Sequence, residues 1–315
     1  MEAVQDKFFA LGSDVVLTLV ADPKINVAPL LIKLKRTIIA FEERFSRFKA
    51  TSELSNVNHS AGLTVAISLE FSKLLRTALD WARDSGGIYN PLILPSLQAA
   101  GYAGSWPHPA DADLSTNFAS RRNLAPAAIK LEPGHITLPS DSALDFGGIG
   151  KGYLLDELAR LTTTQSREIS GFWFSLGGDI VAGGLDQFAK PWHIGLARAT
   201  NPNELAGEFV AANAASSIAV ATSGVTKRRG TNSQGRSWHH LIDPRTCLPA
   251  NTNLLSVSVQ STSATSADVL AKCAVILGST AARPFLRTHN IDHALLQLAD
   301  PQHSVIALNQ ADERL

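Results

Sequence analysis

The feature that most constrains the fold is a glycine-rich run in the middle of the chain. Four of the six residues from Gly147 to Gly152 are glycine. The run follows the segment Leu144-Asp145-Phe146 and opens the stretch from Tyr153 to Leu161, which we predict to be a helix. Because so few side chains are present, a ligand can approach the backbone, and N–H groups at a helix start favour anions. Taken alone, a structural turn explains the run equally well.

This glycine loop does not match the phosphate-binding loop of nucleotide hydrolases. Asp145 stands where that motif begins with glycine, and Gly152 follows Lys151 where Ser or Thr is needed. The chain also lacks a Gly-x-Ser-x-Gly elbow, a His-Glu-x-x-His zinc helix and a Cys-x-x-Cys pair. These absences exclude the corresponding enzyme classes.

Predicted strands and helices occur in groups along the chain, without a strict strand–helix alternation. This grouping favours an α+β fold over a doubly wound parallel sheet. Apolar residues recur at helical spacing in three segments, over residues 27–48, 69–82 and 267–277. The predicted strands are a hairpin over 8–20, two short strands around a turn at 132–134, and the segments 172–176, 192–197, 217–222, 254–260, 294–298 and 305–309.

Three further segments are expected to be irregular. Residues 46–62 are polar and predict a loop, and residues 88–91 lead into an extended stretch. Residues 103–126 are rich in Pro, Asp, Ser and Ala without periodicity, which predicts a long surface loop.

Composition and charge limit the classes of partner. Lys plus Arg and Asp plus Glu both number 28, so there is no basic footprint of a nucleic-acid binder. The chain has no run of about 18 apolar residues, so no membrane span is expected, and its start lacks a signal-peptide pattern. Two cysteines, Cys247 and Cys273, fit reduced thiols better than a disulfide framework, although one bridge stays open. A cytoplasmic location is expected.

Three other segments combine residue types that can do chemistry with a simple structural alternative. Gly177-Gly178-Asp179 fits a hairpin turn. His239 and His240 are adjacent, so at most one faces a given site, and His240 with Asp243 could serve proton transfer or phosphate binding. The alternative is a turn at Asp-Pro-Arg-Thr with surface histidines. In the third segment, Thr265 or Ser266 could cap a helix whose first turn holds Asp268.

The order of these segments resembles the ApbE family over about residues 8–300. The landmarks are Leu11-Gly12-Ser13, Ser52-Glu53-Leu54 with Asn58, the run 144–153, Gly177-Gly178-Asp179, Pro191-Trp192 with Ile194-Gly195, 221–224, 240–246 and 265–268. The most specific are the run from Leu144 to Tyr153 and the His-x-Ile-Asp-Pro-Arg-Thr segment.

The resemblance implies a single domain over residues 1–315, with an α+β fold, mixed or antiparallel sheets flanked by helices, and two lobes around an FAD cleft. It implies an FAD:protein FMN transferase that attaches FMN through a phosphoester to a Ser or Thr hydroxyl of a target protein and releases AMP. A magnesium ion on the pyrophosphate would act as a Lewis acid.

Matching the family motifs residue by residue assigns roles to this chain. The carbonyl of Gly150 and the carboxylate of Asp268 would bind magnesium, which prefers oxygen ligands. His240 would be the base for the incoming hydroxyl. The remaining cofactor contacts implied are Leu11, Tyr89, Asn90, Gly148, Gly150, Lys151, Asp179 and Ser223, with Leu11 and Tyr89 near the flavin ring.

The sequence departs from the family pattern at three places. Lys272 stands where a Thr metal ligand is usual, one helical turn after Asp268. Asn90 replaces an Asp, and Leu11-Gly12-Ser13 stands where Met-Gly-Thr is usual. Lys272 could pair with Asp268 and repel a dication, or neutralise the phosphates itself. The alternative function is therefore a non-catalytic FAD-binding protein in which Lys272 replaces the metal.

Overall fold

A computed structural model describes residues 1–102, 104, 124–211, 217–231, 237–300 and 305–308. The helices of these residues are α1 (Ala28–Phe45), α2 (Glu53–His59), α3 (Leu69–Asp84), α4 (Leu94–Ala100), α5 (Gly150–Gln165) and α6 (Ala264–Thr288). The strands are β1 (Glu2–Ala10), β2 (Ser13–Ala21), β3 (Thr64–Ala66), β4 (Lys130–Glu132), β5 (His135–Thr137), β6 (Ile169–Leu176), β7 (Asp179–Gly184), β8 (His193–Ala197), β9 (Leu205–Val210), β10 (Ile218–Gly224), β11 (Arg229–Thr231), β12 (Ser237–His239), β13 (Ile242–Asp243), β14 (Leu248–Pro249), β15 (Leu254–Ser261), β16 (Ala294–Leu298) and β17 (Val305–Leu308).

Eight strands form one antiparallel sheet in the order β1-β2-β6-β7-β10-β15-β16-β17. The chain leaves this sheet after β2 and returns at β6, so that the five helices α1 to α5 and the small sheet β3-β5-β4 lie between two neighbouring strands. The α+β prediction is confirmed. The predicted loop over residues 103–126 lies almost wholly outside the described residues.

Helices cover one face of the large sheet. The helices α1 and α5 pack their apolar side chains on β2 and β6, where Leu34, Ile38 and Leu155 are fully buried. The helix α6 packs on β10 and β15, and the hairpin β8–β9 takes part in a separate apolar cluster with β7 and β10. Each of these contacts removes apolar surface from water, which stabilises the fold by about 25 cal/mol per Å² buried.

The helix α6 joins two of the apolar cores. Leu270 and Val275 pack with the sheet, whereas Val269 and Cys273 pack with α3 and the segment before α5. We therefore propose that the chain folds as one domain, because neither core is complete without this helix.

Two predicted irregular segments contain helices. The polar stretch 46–62 includes α2, which begins because the Ser52 hydroxyl accepts a hydrogen bond from the Ser55 N–H at 3.0 Å. Leu54 and Val57, three residues apart, are buried on its inner face. The predicted extended stretch after Pro91 includes α4. Tertiary burial of a few apolar residues outweighs the polar composition in these short segments.

The predicted hairpin turn at Gly177-Gly178 is confirmed. Both glycines have positive φ, 63° and 99°, and they join β6 to β7 as a two-residue turn. The predicted hairpin over residues 8–20 is also present, with Leu11 and Gly12 at the turn between β1 and β2.

The helix predicted over 267–277 is the first part of α6. Gly278 (φ 76°) breaks the helix, which then continues to Thr288. Neither Thr265 nor Ser266 is the N-cap, so that prediction is wrong. The cap is Ser263, whose hydroxyl accepts from the Ser266 N–H at 3.2 Å.

By length and apolar composition alone, α6 could cross a membrane, and half of its most apolar window is buried. The core helix of a soluble protein passes the same test, so the expected absence of a span stays a prediction. Both cysteines are buried free thiols, and burial raises the pKa of Cys273 to about 12, which keeps this thiol protonated.

Candidate functional site

A cavity of about 380 Å³ opens beside the glycine loop. Its walls come from the β1–β2 turn, the C-terminal end of α1, the segment before α4, the start of α5, the segment after β12, and α6. Eight of the predicted site residues line it: Leu11, Tyr89, Asn90, Gly148, Gly150, Lys151, His240 and Lys272. Three others do not, namely Asp179, Ser223 and Asp268.

Leu11 reaches the cavity because the β1–β2 turn is held against α1. Its φ of 57° is left-handed, and Gly12 follows with φ 65°, as a type I′ hairpin turn requires. The Leu11 N–H donates to Glu42 Oε1 at 2.7 Å. This contact fixes the turn, and with it an apolar side chain, at one edge of the cavity.

The glycine loop lets two other groups come close. A Cβ on Gly148 would lie 3.0 Å from Tyr89 Cε2 and 3.4 Å from the Lys272 side chain. On Gly152 it would lie 2.4 Å from the Ala264 carbonyl oxygen, so the first turns of α5 and α6 touch there. The glycines thus bring the starts of two helices together beside the cavity.

Lys151 forms an ion pair with Asp179, which lies behind the cavity wall at the start of β7. Burial lowers the pKa of Lys151, but the carboxylates of Asp179 and Asp268 outweigh burial and the pKa is raised. The ammonium therefore stays charged. Asp179 also accepts from the Thr222 N–H at 3.1 Å, which ties β7 to β10. Asp179 therefore positions Lys151, and a direct contact of Asp179 with the cofactor stays a prediction.

Asp268 is 3% exposed and has partners for both carboxylate oxygens. Its Oδ1 lies 2.9 Å from Lys272 Nζ, and its Oδ2 accepts from the Gly152 N–H at 3.2 Å. The predicted pairing of Lys272 with this carboxylate is therefore present, and Lys272 lines the cavity whereas Asp268 does not.

The residues present do not fit the magnesium ion that the family resemblance implies. A dication bound to Asp268 Oδ1 would share that oxygen with the Lys272 ammonium and be repelled by it. Gly150 is the first residue of α5, where carbonyl oxygens point along the helix toward later N–H groups. No group of three or more His, Cys, Asp or Glu side chains suited to a metal occurs among the described residues. The assignment of Gly150 and Asp268 as ligands stays an untested prediction that this geometry disfavours.

His240 is a buried, neutral imidazole on the cavity wall. Burial lowers its pKa well below the usual value, and the charges of Arg228 and Lys272 lower it further. Its Nδ1 is buried and has no hydrogen-bond partner among the described residues. The adjacent His239 faces away and bonds the Ala250 carbonyl at 3.1 Å, as strand geometry predicts for neighbours. A neutral ring nitrogen without a partner can accept a proton from a ligand.

Tyr89 also lines the cavity, and its hydroxyl is a second buried polar atom. Its hydroxyl has no hydrogen-bond partner in the described part of the chain. Burial raises the pKa of Tyr89 well above the usual value, with smaller contributions from Asp145 and Asp268, so the phenol keeps its proton. A buried hydroxyl without a partner costs about 1–3 kcal/mol, which a ligand that accepts its hydrogen bond would recover.

Other predicted residues have local structural partners. Asn90 bonds the Leu92 N–H through Oδ1 at 2.8 Å and the Leu124 carbonyl through Nδ2 at 3.0 Å, so it shapes the turn before α4. Asp243 holds Arg245 in a two-pronged ion pair, which supports the turn interpretation of that segment. Ser223 is buried in β10.

Sequence reasoning missed two arginines on the cavity. Arg47 is 7% exposed, lies 3.0 Å from Asp145 Oδ2, and stacks on the rings of Phe48 and Tyr102 at 4.2 and 4.7 Å. The sequence feature that could have indicated Arg47 is the basic and aromatic segment that follows α1. Arg228 lies in the loop between β10 and β11, where no motif marked it.

A third missed residue supports the site from behind. Asp156 of α5 accepts hydrogen bonds from the Ala264 and Thr265 N–H groups at 2.7 and 2.9 Å. It also accepts from the hydroxyls of Ser263 and Thr265 at 2.8 and 2.6 Å. This carboxylate places the first turn of α6, and therefore Asp268 and Lys272.

Comparison with known proteins gives relatives along most of the chain. An FAD:protein FMN transferase of Salmonella typhimurium is 25% identical over 275 residues, which cover 84% of this chain and 76% of the relative. One of Treponema pallidum is 28% identical over 242 residues, covering 72% and 65%.

Solved structures share the fold. The ApbE protein of Thermotoga maritima superposes with a TM-score of 0.83 at 22% identity, covering 97% of both chains. The flavin transferase ApbE of Vibrio cholerae gives 0.79 at 20% identity, covering 97% and 96%. The model of the ApbE family matches residues 11–295. The predicted resemblance is thus confirmed, and the chain belongs to the ApbE family.

Proposed function

We propose that this chain is an FAD:protein FMN transferase that uses the cavity beside the glycine loop. The observation that carries the proposal is the neutral His240, which lines the same cavity as Lys151 and Lys272 and whose buried Nδ1 has no hydrogen-bond partner among the described residues. A site that combines a proton acceptor with fixed cations suits attack of a hydroxyl on a phosphate. The relatives named above carry this activity in their names.

The proposed step replaces a phosphoanhydride bond with a phosphoester bond on the same phosphorus. The acceptor hydroxyl oxygen forms a bond to the phosphorus of the FMN half, and the bond from that phosphorus to the bridging oxygen breaks. AMP leaves with the bridging oxygen, and the hydroxyl proton passes to His240. No redox change occurs, because the flavin ring is carried intact.

Other chain groups have binding roles in this proposal. Lys151, fixed by Asp179, holds a positive charge beside the glycine loop. Leu11 and Tyr89 offer apolar and aromatic surface to the flavin ring. The Tyr89 hydroxyl donates to an acceptor on the ligand. Magnesium has no role in the proposed step, since the paired Asp268 and Lys272 do not fit a dication.

The acceptor is proposed to be a protein with a Ser or Thr target, and the compartment to be the cytoplasm. Two buried free thiols are consistent with a reducing compartment. Cell fractionation with an antibody against the chain tests the location, and recovery in the membrane or exported fraction would contradict it.

The direct test incubates purified protein with FAD and a Thr-containing acceptor peptide, and follows AMP and covalent flavin by chromatography. We expect AMP and peptide-bound flavin in equal amounts. Tight FAD binding without release of AMP would instead support the alternative, a non-catalytic FAD-binding protein. Both relatives named above are named as transferases, so neither supports this alternative.

The role of His240 is tested by the His240→Ala variant. We expect transfer to slow by about 10²- to 10⁴-fold, as loss of a general base does. The control is His59→Ala, at an exposed histidine near the end of α2. An unchanged rate in His240→Ala would return this residue to a structural role.

A further inference from the structure

Lys272 is held at the ligand cavity by its own helix. It follows Asp268 by one turn of α6, and its Nζ lies 2.9 Å from Asp268 Oδ1 and 3.5 Å from the Asp268 carbonyl oxygen. The side chain is 17% exposed. Its Cδ and Cε pass 3.4 Å from the point where Gly148 would carry a Cβ. The ammonium is thus fixed beside the glycine loop instead of extending into solvent.

The carboxylate of Asp268 acts behind this ammonium. Asp268 does not line the cavity, whereas Lys272 does. A ligand in the cavity therefore meets the lysine of the pair and not the carboxylate. The Gly152 N–H bond on Asp268 Oδ2 fixes the carboxylate from the other side. Asp268 is therefore a positioning residue for the lysine.

The balance of charge in the cavity also suits an anion. Arg228 lines the same cavity and adds a positive charge, and Lys151 lies at the glycine loop. Burial lowers the pKa of His240 most, and the positive charges of Arg228, Lys272 and Lys151 lower it further. Asp268 and Asp179, which pair with the two lysines, do not line the cavity, so a doubly charged pyrophosphate there meets the three cationic residues.

We propose that Lys272, positioned by Asp268, is the cation that faces the FAD pyrophosphate in this chain, and that FAD binding and FMN transfer proceed without a divalent metal. This inference rests on the proposed function and adds to it the identity of the countercharge. Lys272 contacts the phosphate oxygens as a point charge, so it neutralises the ligand without taking part in proton transfer.

The first experiment measures FAD affinity by flavin fluorescence, with magnesium chloride or with EDTA. Wild type is expected to bind FAD equally in both. Lys272→Met is expected to bind about 10- to 100-fold more weakly in both, as the loss of a charged hydrogen bond implies. Lys272→Thr is expected to recover affinity only with magnesium, because it frees Asp268 Oδ1.

Three further variants control these titrations. Lys272→Arg keeps the charge and is expected to bind within a few-fold of wild type. The double variant Asp268→Asn/Lys272→Met removes the pair without leaving a buried carboxylate alone, so its weak binding cannot be assigned to misfolding from an unpaired charge. The matched control Lys73→Met changes an exposed lysine of α3 in the same way and is expected to bind like wild type.

Two binding results would overturn the inference. One is wild-type affinity at least about tenfold higher with magnesium than with EDTA, a difference of about 1.4 kcal/mol. The other is an unchanged affinity in both the Lys272→Met and the double variant.

The second experiment repeats the transfer assay with and without EDTA, and it separates the inference from the proposed function. Equal rates of AMP release support both. Covalent flavin formed only with magnesium refutes the inference and leaves the transferase intact. No AMP in either condition refutes the transferase, and the FAD titrations then decide the role of Lys272 by themselves.

Discussion

Removal of the Asp156 carboxylate is expected to destabilise the fold at the junction of α5 and α6. In Asp156→Ala, the N–H groups of Ala264 and Thr265 lose their acceptor at 2.7 and 2.9 Å. Each unsatisfied donor costs about 1–3 kcal/mol, and a negative charge at a helix start contributes about 0.3–1 kcal/mol. Because Asp156 is half-buried and water can partly replace it, we expect a loss of about 2–4 kcal/mol in total.

The assay is urea unfolding, followed by circular dichroism and by the fluorescence of the five tryptophans. Asp156→Asn keeps one acceptor oxygen and loses the charge, so about 1–2 kcal/mol is expected. The control Glu157→Ala removes a neighbouring surface carboxylate that pairs with Arg160 at 2.8 Å, and less than about 0.5 kcal/mol is expected.

The reasoning would be refuted if Asp156→Ala cost no more than Glu157→Ala. It would also be refuted if Asp156→Asn cost as much as Asp156→Ala, since the two differ in how many acceptors remain. A functional consequence follows as well. Because Asp156 places the first turn of α6, the Asp156→Ala variant that stays folded is expected to lose FAD affinity through Lys272.

Three other perturbations test separate parts of the site. Burial lowers the pKa of His240, so the transfer rate is expected to stay constant as the pH falls through about 6.5, the ordinary imidazole pKa. The rate is expected to decline only at lower pH, where the buried imidazole takes up a proton. A half-maximal rate at the ordinary imidazole pKa would contradict a buried base. The same pKa shift affects stability, because below about pH 6.5 His240 takes up a proton in the unfolded state but not in the folded state. The contribution of His240 to the free energy of unfolding is therefore complete above about pH 6.5 and is lost as the pH falls. Urea midpoints measured across this range in wild type and His240→Gln test whether stability falls in this direction. Gly152→Ala places a Cβ 2.4 Å from the Ala264 carbonyl oxygen and is expected to lower the free energy of unfolding by about 1–3 kcal/mol. An unchanged melting temperature would contradict the close contact between α5 and α6. Lys151→Met leaves the Asp179 carboxylate buried without its cation and is expected to lower the free energy of unfolding by about 3–5 kcal/mol. The double variant Lys151→Met/Asp179→Asn is expected to restore part of this loss. A double variant no more stable than the single one would show that the ion pair does not stabilise the fold.

Local chemistry explains what could be predicted from the sequence. The turn at Gly177-Gly178 was predictable because only glycine adopts positive φ without strain. The first part of α6 was predictable from helical spacing, and the order of motifs placed the chain in its family. Eight of the predicted site residues share one cavity because those motifs lie at the ends of elements that the fold brings together.

Contacts between residues far apart in the chain were not predictable in this way. The Asp156 carboxylate caps a helix that begins about a hundred residues later, and no periodicity indicates such a partner. The two short helices α2 and α4 form because the core buries their few apolar residues, against the polar or Pro-containing composition of their segments.

The sequence by itself determined the family, the glycine loop, and the presence of a lysine one turn after Asp268. Only the tertiary structure decided where that lysine lies: its Nζ is 2.9 Å from Asp268 Oδ1, and the residue lines the cavity. It also decided that His240 is neutral, because burial and nearby cations set a pKa that residue type alone does not. The physical reason is the same in each case: charge and burial depend on neighbours that the fold assembles from distant segments.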